Sequence, residues 1–270
     1  MAQSRQSYIA DIVSACMLLS RLPCGWYKFD DKNPPRLDMA GWAFPIIGFV
    51  IGAIGAASLI TMQAIGISAL GAAACGVVVM TLLSGALHDD GLADMADGFG
   101  GGRTVDDKIR IMHDSRVGSY GVMALCLSVV MRVSLLASLA ALPIAPFSFA
   151  LLMALWVAVS RWQILGLLRF FPVSDKARLG QLTSPPPLSQ LAVATMLWLL
   201  PCGLLLSPTA AIMLAGIGLL SAAFVGKLAM RQVRGLTGDI MGASVTIAEI
   251  MLMITLLVLA RFLPQILGFI

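Results

Sequence analysis

The chain has 270 residues, 59% of them hydrophobic and only 12% charged, with a net charge of +4; a soluble domain carries about 25% charged residues. So little polar surface cannot cover the chain in water, and the apolar excess must face lipid. No long basic tract supports nucleic-acid binding, and five scattered cysteines without CxxC spacing indicate neither a zinc site nor a disulfide framework.

A bilayer core of about 30 Å takes about 20 apolar residues in a helix. Seven stretches approach that length: 41–64, 68–87, 120–142, 147–168, 188–206, 209–226 and 243–263. Ahead of them, 9–20 is too short to span and carries Asp11, so an amphipathic helix in the membrane interface is expected rather than a re-entrant one. Asp11 also interrupts the only N-terminal apolar run, which argues against a cleaved signal. The connections 65–67, 143–146 and 207–208 are short and uncharged, whereas 1–40, 88–119, 169–190 and 227–242 are polar. The run 184–187, with three prolines, reads as a turn or extended link before the fifth span.

Seven spans place all four polar segments on one side. Fifteen of the 18 basic and 13 of the 14 acidic residues then share a face, leaving Arg132, Arg161, Arg261 and Glu249 within spans. The positive-inside rule makes that face cytoplasmic. The predicted fold is all-α: a polytopic integral-membrane helical bundle of about seven transmembrane helices plus an N-terminal interfacial helix. Residues 1–270 are expected to form a single catalytic domain in the cell inner membrane, with a homo-oligomer left open. No internal repeat appears, which weakens an inverted-repeat transporter architecture.

The chemistry concentrates in His88-Asp89-Asp90-Gly91-Leu92-Ala93-Asp94-Met95-Ala96-Asp97-Gly98, directly after the second apolar run. Asp90, Asp94 and Asp97 stand at i, i+4 and i+7, on one helical face. Carboxylates so placed repel one another and suit a hard cation such as Mg²⁺, which takes one or two carboxylates plus waters and substrate phosphates. Asp89 points about a quarter turn away. The run Phe99-Gly100-Gly101-Gly102-Arg103 lets backbone N–H groups approach an anion, although a glycine run also serves as a plain turn. A short amphipathic helix is expected over 106–113. Arg116 offers a fork for phosphate or, alternatively, a salt bridge to Asp114.

A second cluster precedes the last span. Arg231 and Arg234 share a helix face, suited to a diphosphate or to lipid headgroups, and Asp239 follows between glycines. Glu249 lies about 8 Å and Arg161 about 10 Å below the loaded face, so the two are expected to pair. Arg132 lies deeper and is a candidate for substrate contact. His88 and His113 are candidate bases by position.

The segment 88–98, the Phe99-Gly-Gly-Gly turn and Asp114-Ser-Arg-Val-Gly-Ser-Tyr-Gly121 resemble the cobalamin synthase family. Ser20-Arg-Leu-Pro23 and Gly235-Leu-Thr-Gly-Asp-Ile-Met-Gly-Ala243 agree, in the family's order. One departure is Asp89, where the family usually carries a glutamate. The resemblance implies transfer of phosphocobinamide from adenosylcobinamide-GDP to the 5′ position of α-ribazole or α-ribazole 5′-phosphate, releasing GMP, with Mg²⁺. On that basis Asp90, Asp94, Asp97 and Asp239 are expected to hold metal. Arg103, Arg116, Arg231 and Arg234, with Gly100 and Gly101, are expected to hold phosphates, and Asp89 or His88 to act as base. A large corrinoid lying at the lipid interface would rationalise a membrane enzyme. The alternatives are another Mg²⁺-dependent membrane transferase with a diphosphate substrate, or an ion-coupled transporter. A CDP-alcohol phosphotransferase would want an arginine soon after the Asp-Gly pair, where this chain has Asp94.

Overall fold

The structure is a computed structural model that describes residues 8–29, 34–35, 37–175 and 185–263. Parts of the polar segments 1–40 and 169–190, including the start of the proline link at 184, lie outside the described residues. The elements are α1 (Tyr8–Leu19), a 3-10 turn (Ala40–Ala43) leading into α2 (Phe44–Ala64), α3 (Ala69–Ser84), α4 (Leu87–Gly101), α5 (Val105–Met112), α6 (Ser119–Ala140), α7 (Pro146–Phe170), α8 (Leu188–Leu205), α9 (Pro208–Val233) and α10 (Gly238–Phe262). Six helices are long and apolar enough to cross a membrane, and α3 with α4 makes a seventh if that bent pair counts as one span. The chain is an all-α, multi-pass membrane bundle.

The second span differs from the sequence expectation. Helix α3 has 16 residues, about 24 Å of rise against a core of roughly 30 Å. It stops at Gly85 (φ 62°), followed by Ala86 (φ 57°), and the chain turns through 88° into α4. Glycine takes the left-handed region freely, whereas Ala86 is strained there by roughly 1 kcal/mol. The aspartate helix therefore does not prolong the second span but lies across the end of the bundle.

Hydropathy also misplaced the last two polar boundaries. It marks where a helix leaves lipid, not where its hydrogen bonds stop. Thus α9 continues through Lys227 and Arg231, and α10 already begins at Gly238, capped by the Thr237 hydroxyl accepting from Ile240 N (3.3 Å).

Helix α7 is the hub: it is buried from Leu152 to Leu168 and packs against α2, α8, α9 and α10. Lipid is as apolar as leucine, so packing here depends on close approach rather than water exclusion. Gly48 and Gly52 of α2 provide it, because a Cβ at Gly48 would sit 2.5 Å from the Val157 carbonyl oxygen. Trp156 Nε1 donates to the Glu249 carbonyl (2.8 Å), tying α7 to α10.

The described parts of the four polar segments meet at one end, as the parity of spans requires. Asp11 accepts from Trp42 Nε1 (3.0 Å), and Gln190 Nε2 donates to the Asp38 carbonyl (3.3 Å). Val173 bridges Leu236, and Lys108 Nζ donates to Gln232. At the other end Gln63 Nε2 donates to Ala140 O (3.3 Å), joining two of the bland turns. Helix α1 buries Val13, Ala15 and Leu19 and exposes Tyr8, Ile9 and Met17, an amphipathic pattern.

Candidate active site

The site is built where α4 crosses the first turn of α10. Gly91 permits the crossing: a Cβ there would lie 2.5 Å from the Asp239 carbonyl oxygen. Asp90, exposed on α4, and Asp239, half-buried on α10, border one cavity of about 170 Å³. Asp94 is one turn further along α4. Burial pushes its pKa up to about 7, reinforced by the charges of Asp90, Asp239 and Asp97. His113, at the end of α5, lies within electrostatic reach of Asp239. The two polar clusters separated by more than a hundred residues thus form one acidic centre.

Asp97 leaves the expected three-residue metal face. Its Oδ2 accepts from Gly118 N (2.7 Å) and its Oδ1 from Gly121 N (2.8 Å), the N-cap and third residue of α6. Those amides have no partner within their own helix, and the positive helix end favours a carboxylate. Asp97 is therefore buried as a cap donated from another helix; Asp90 and Asp239 border the cavity, and Asp94 lies within their electrostatic reach.

Asp89 also has other work than that of a base. Its carboxylate pairs with Arg132 of α6, and Arg132 Nη1 lies 3.6 Å from Glu249 of α10. Glu249 in turn pairs with Arg161 of α7, whose Nη1 also donates to Ser160 Oγ (2.8 Å). The expected Glu249–Arg161 pair is present. Arg132, expected to contact substrate, is instead buried and committed to both acids. Two acids and two bases balance in a network beneath α4. His88 sits just above it. Burial, then the charges of Arg161 and Arg132, hold its pKa well below the ordinary histidine value, and neither ring nitrogen has a hydrogen-bond partner among the described residues.

The glycine run does not form a phosphate nest, because α4 remains helical through Gly101. Its absent side chains serve packing: a Cβ on Gly100 would meet the Tyr120 ring at 2.6 Å. The turn comes after Gly102, where Thr104 and Asp107 form a capping box that starts α5 one residue earlier than predicted. Arg116 adopts the alternative reading and grips Asp114, with Nη2–Oδ2 2.9 Å and Nε–Oδ1 3.2 Å, on the open surface. Arg103, Arg231 and Arg234 are exposed at the same end of the bundle. Arg234 ends α9 in the left-handed region (φ 61°) and lines a separate polar recess with Asp106, Ser174 and Asp175.

Sequence reasoning missed the amide partners of Asp97 and the apolar wall of the cavity, which includes Leu18, Leu19, Phe44 and Ile164. The glycines at 118 and 121 were visible, but nothing in their spacing pointed back to residue 97.

Among the described residues, no three His, Cys, Asp or Glu side chains close into a cage for a metal ion. Mg²⁺ does not demand one, since it keeps waters and binds through one or two carboxylates plus substrate phosphates. Asp90, Asp94 and Asp239 supply hard oxygen donors whose mutual repulsion, seen at Asp94, a cation relieves. The donor set is chemically suited to a hard cation such as Mg²⁺.

The family description cobalamin-5-phosphate synthase matches residues 11–257. An adenosylcobinamide-GDP ribazoletransferase of Azorhizobium caulinodans is 36% identical over 258 residues, covering 94% of this chain and 97% of the relative. The protein of that name from Bradyrhizobium diazoefficiens is 36% identical over 259 residues, covering 95% of each. That from Mesorhizobium japonicum is 36% identical over 243 residues, covering 90% and 91%. No solved structure matches the chain.

Proposed function

The chain belongs to the cobalamin-5-phosphate synthase family, and we propose that its site works with Mg²⁺ held between α4 and α10 by Asp90, Asp94 and Asp239. The enzyme is an adenosylcobinamide-GDP ribazoletransferase, acting in the last assembly step of the cobalamin nucleotide loop. The observation that carries the site assignment is the crossing at Gly91, which brings Asp239 to the carboxylates of α4.

A ribose hydroxyl of α-ribazole or its 5′-phosphate attacks the phosphorus next to cobinamide. The new P–O bond forms as the bridging P–O bond breaks, GMP leaves with the electron pair, and the hydroxyl proton is lost. An acceptor already phosphorylated at 5′ has no 5′ hydroxyl to give, and the family description names a 5-phosphate product. We therefore place the attack on a secondary ribose hydroxyl rather than at the 5′ position expected from sequence. Mg²⁺, when bound, supplies neutralisation of the diphosphate and of the charge on departing GMP. In-line attack otherwise needs positioning and charge stabilisation. Asp89, through Arg132, fixes the rotation of α4 so that Asp90 borders the cavity. Arg103, Arg231 and Arg234 offer guanidinium groups for phosphate oxygens at the same end. With Asp89 engaged by Arg132, the carboxylates of the cluster are left to accept the hydroxyl proton. The basic residues of this end support a cytoplasmic active face in the inner membrane.

The test is direct. Purified protein in detergent is given adenosylcobinamide-GDP and α-ribazole, with Mg²⁺ or with chelator. Cobalamin and GMP should form in equal amounts with the metal only; absence of product with Mg²⁺ overturns the reading.

A further inference from the structure

We propose that the cavity bordered by Asp90 and Asp239 binds the benzimidazole ring of the acceptor, an assignment that rests on the ribazole transfer above. The cavity holds about 170 Å³ and is lined by residues of α1, α2, α4, α7 and α10. Leu18, Leu19, Phe44, Ile164 and Met241 make its apolar walls.

Size and polarity decide among the chemical parts of the two substrates. A corrin macrocycle is far too large for this space. Guanine carries several donors and acceptors around its rim, which apolar walls would leave unmet at a cost. A benzimidazole presents two hydrocarbon faces and one unsubstituted ring nitrogen that accepts a single hydrogen bond. Small-molecule sites have this make-up, an apolar lining with few polar groups that fix orientation.

His88 supplies the polar group. It is among the residues that line the cavity, is 5% exposed, and has both ring nitrogens buried with no hydrogen-bond partner among the described residues. Buried polar groups in folded proteins are nearly always hydrogen-bonded, and here the partner enters with the ligand. A turn of the imidazole about its Cβ–Cγ bond presents an N–H to the ring nitrogen of the base. The ribose, one glycosidic bond away, then lies toward Asp90 and Asp239, where its hydroxyl is needed. His88 is thus a recognition residue rather than the base.

Two measurements test this. In Ile164→Phe, which fills the cavity, and in His88→Ala, the KM for α-ribazole should rise roughly tenfold or more, the usual size of such pocket changes. The KM for adenosylcobinamide-GDP should stay within about twofold, since only one substrate loses binding. Free 5,6-dimethylbenzimidazole, which needs no variant to fold, should inhibit the wild type competitively against α-ribazole and not against the corrinoid. An unmoved acceptor KM in both variants, or competition with the corrinoid instead, overturns the cavity assignment while wild-type turnover stands. No wild-type product at all would instead sink the transfer reading.

Discussion

Asp89 and Asp90 are adjacent in the chain and meet opposite surroundings, because one residue of helix rotates a side chain by about 100°. Asp89 points down into a balanced network in which Arg132 and Arg161 answer Asp89 and Glu249. Asp90 points up to a cluster with Asp94 and Asp239, where negative charge is in excess and His113 lies within electrostatic reach of Asp239. The lower layer is complete as folded. The upper layer is left with excess negative charge, which the proposed cation would relieve. Charge in the same helix is therefore divided between holding the scaffold and waiting for a ligand.

Neutralising one acid in each layer separates these roles. Asp94→Asn should reduce turnover by at least the roughly 100-fold that losing a metal's outer-shell partner costs. Its thermal unfolding in detergent should stay put or move up, because repulsion with Asp90 and Asp239 is relieved. Wild-type activity in that variant would remove Asp94 from the site. Glu249→Gln should do the reverse in stability. Leaving Arg161 buried without its carboxylate, and Arg132 with Asp89 alone, costs about 3–5 kcal/mol, read as a large fall in the unfolding midpoint. An unchanged midpoint would show that the lower layer does not hold α4 in place.

How much of this was legible follows from the range of each interaction. The spans were legible because hydropathy is local, and Glu249–Arg161 because both depths could be counted from one face. The Asp90/Asp94 face followed from helical spacing. The corner at Gly85-Ala86 was hidden, since a left-handed alanine has no local signature and apolar residues surround it. Asp97 was misassigned for a similar reason. Its spacing is that of a metal face, and only the arrival of α6's N-terminus turns it into a cap. Asp89–Arg132 depends on the rotation of two helices, which no spacing encodes.

The pH response sharpens the contrast further. Asp94 binds its proton more tightly folded than unfolded, with a pKa raised to about 7 chiefly by burial and then by Asp90, Asp239 and Asp97. The sign follows: without metal, its contribution to stability is lost as pH rises from the ordinary carboxylate value toward 7, and changes little above that. Activity at limiting Mg²⁺ should run the other way, rising through about pH 7 as the carboxyl ionises. In Asp90→Asn, which removes the largest charge cause, the unfolding midpoint of metal-free protein should depend less on pH across this window. An identical pH dependence would mean that the two carboxylates do not share a field.

The smallest expected effect lies at the rim, with Arg234. Its guanidinium is exposed in a recess apart from the aspartate cavity, and its backbone is left-handed. Two substitutions divide the side chain from the backbone. Arg234→Ala and Arg234→Gly both remove the charge, so each should raise the KM for adenosylcobinamide-GDP by about tenfold, the value of one charge-assisted hydrogen bond. Glycine alone also removes the left-handed strain, so Arg234→Gly should unfold later than Arg234→Ala by roughly 1 kcal/mol. Equal KM values with different stabilities would assign the guanidinium to nucleotide binding and the backbone to ending α9. A KM unchanged in both would leave phosphate binding to Arg103 and Arg231, and the recess around Asp106 and Asp175 would then be outside the donor site.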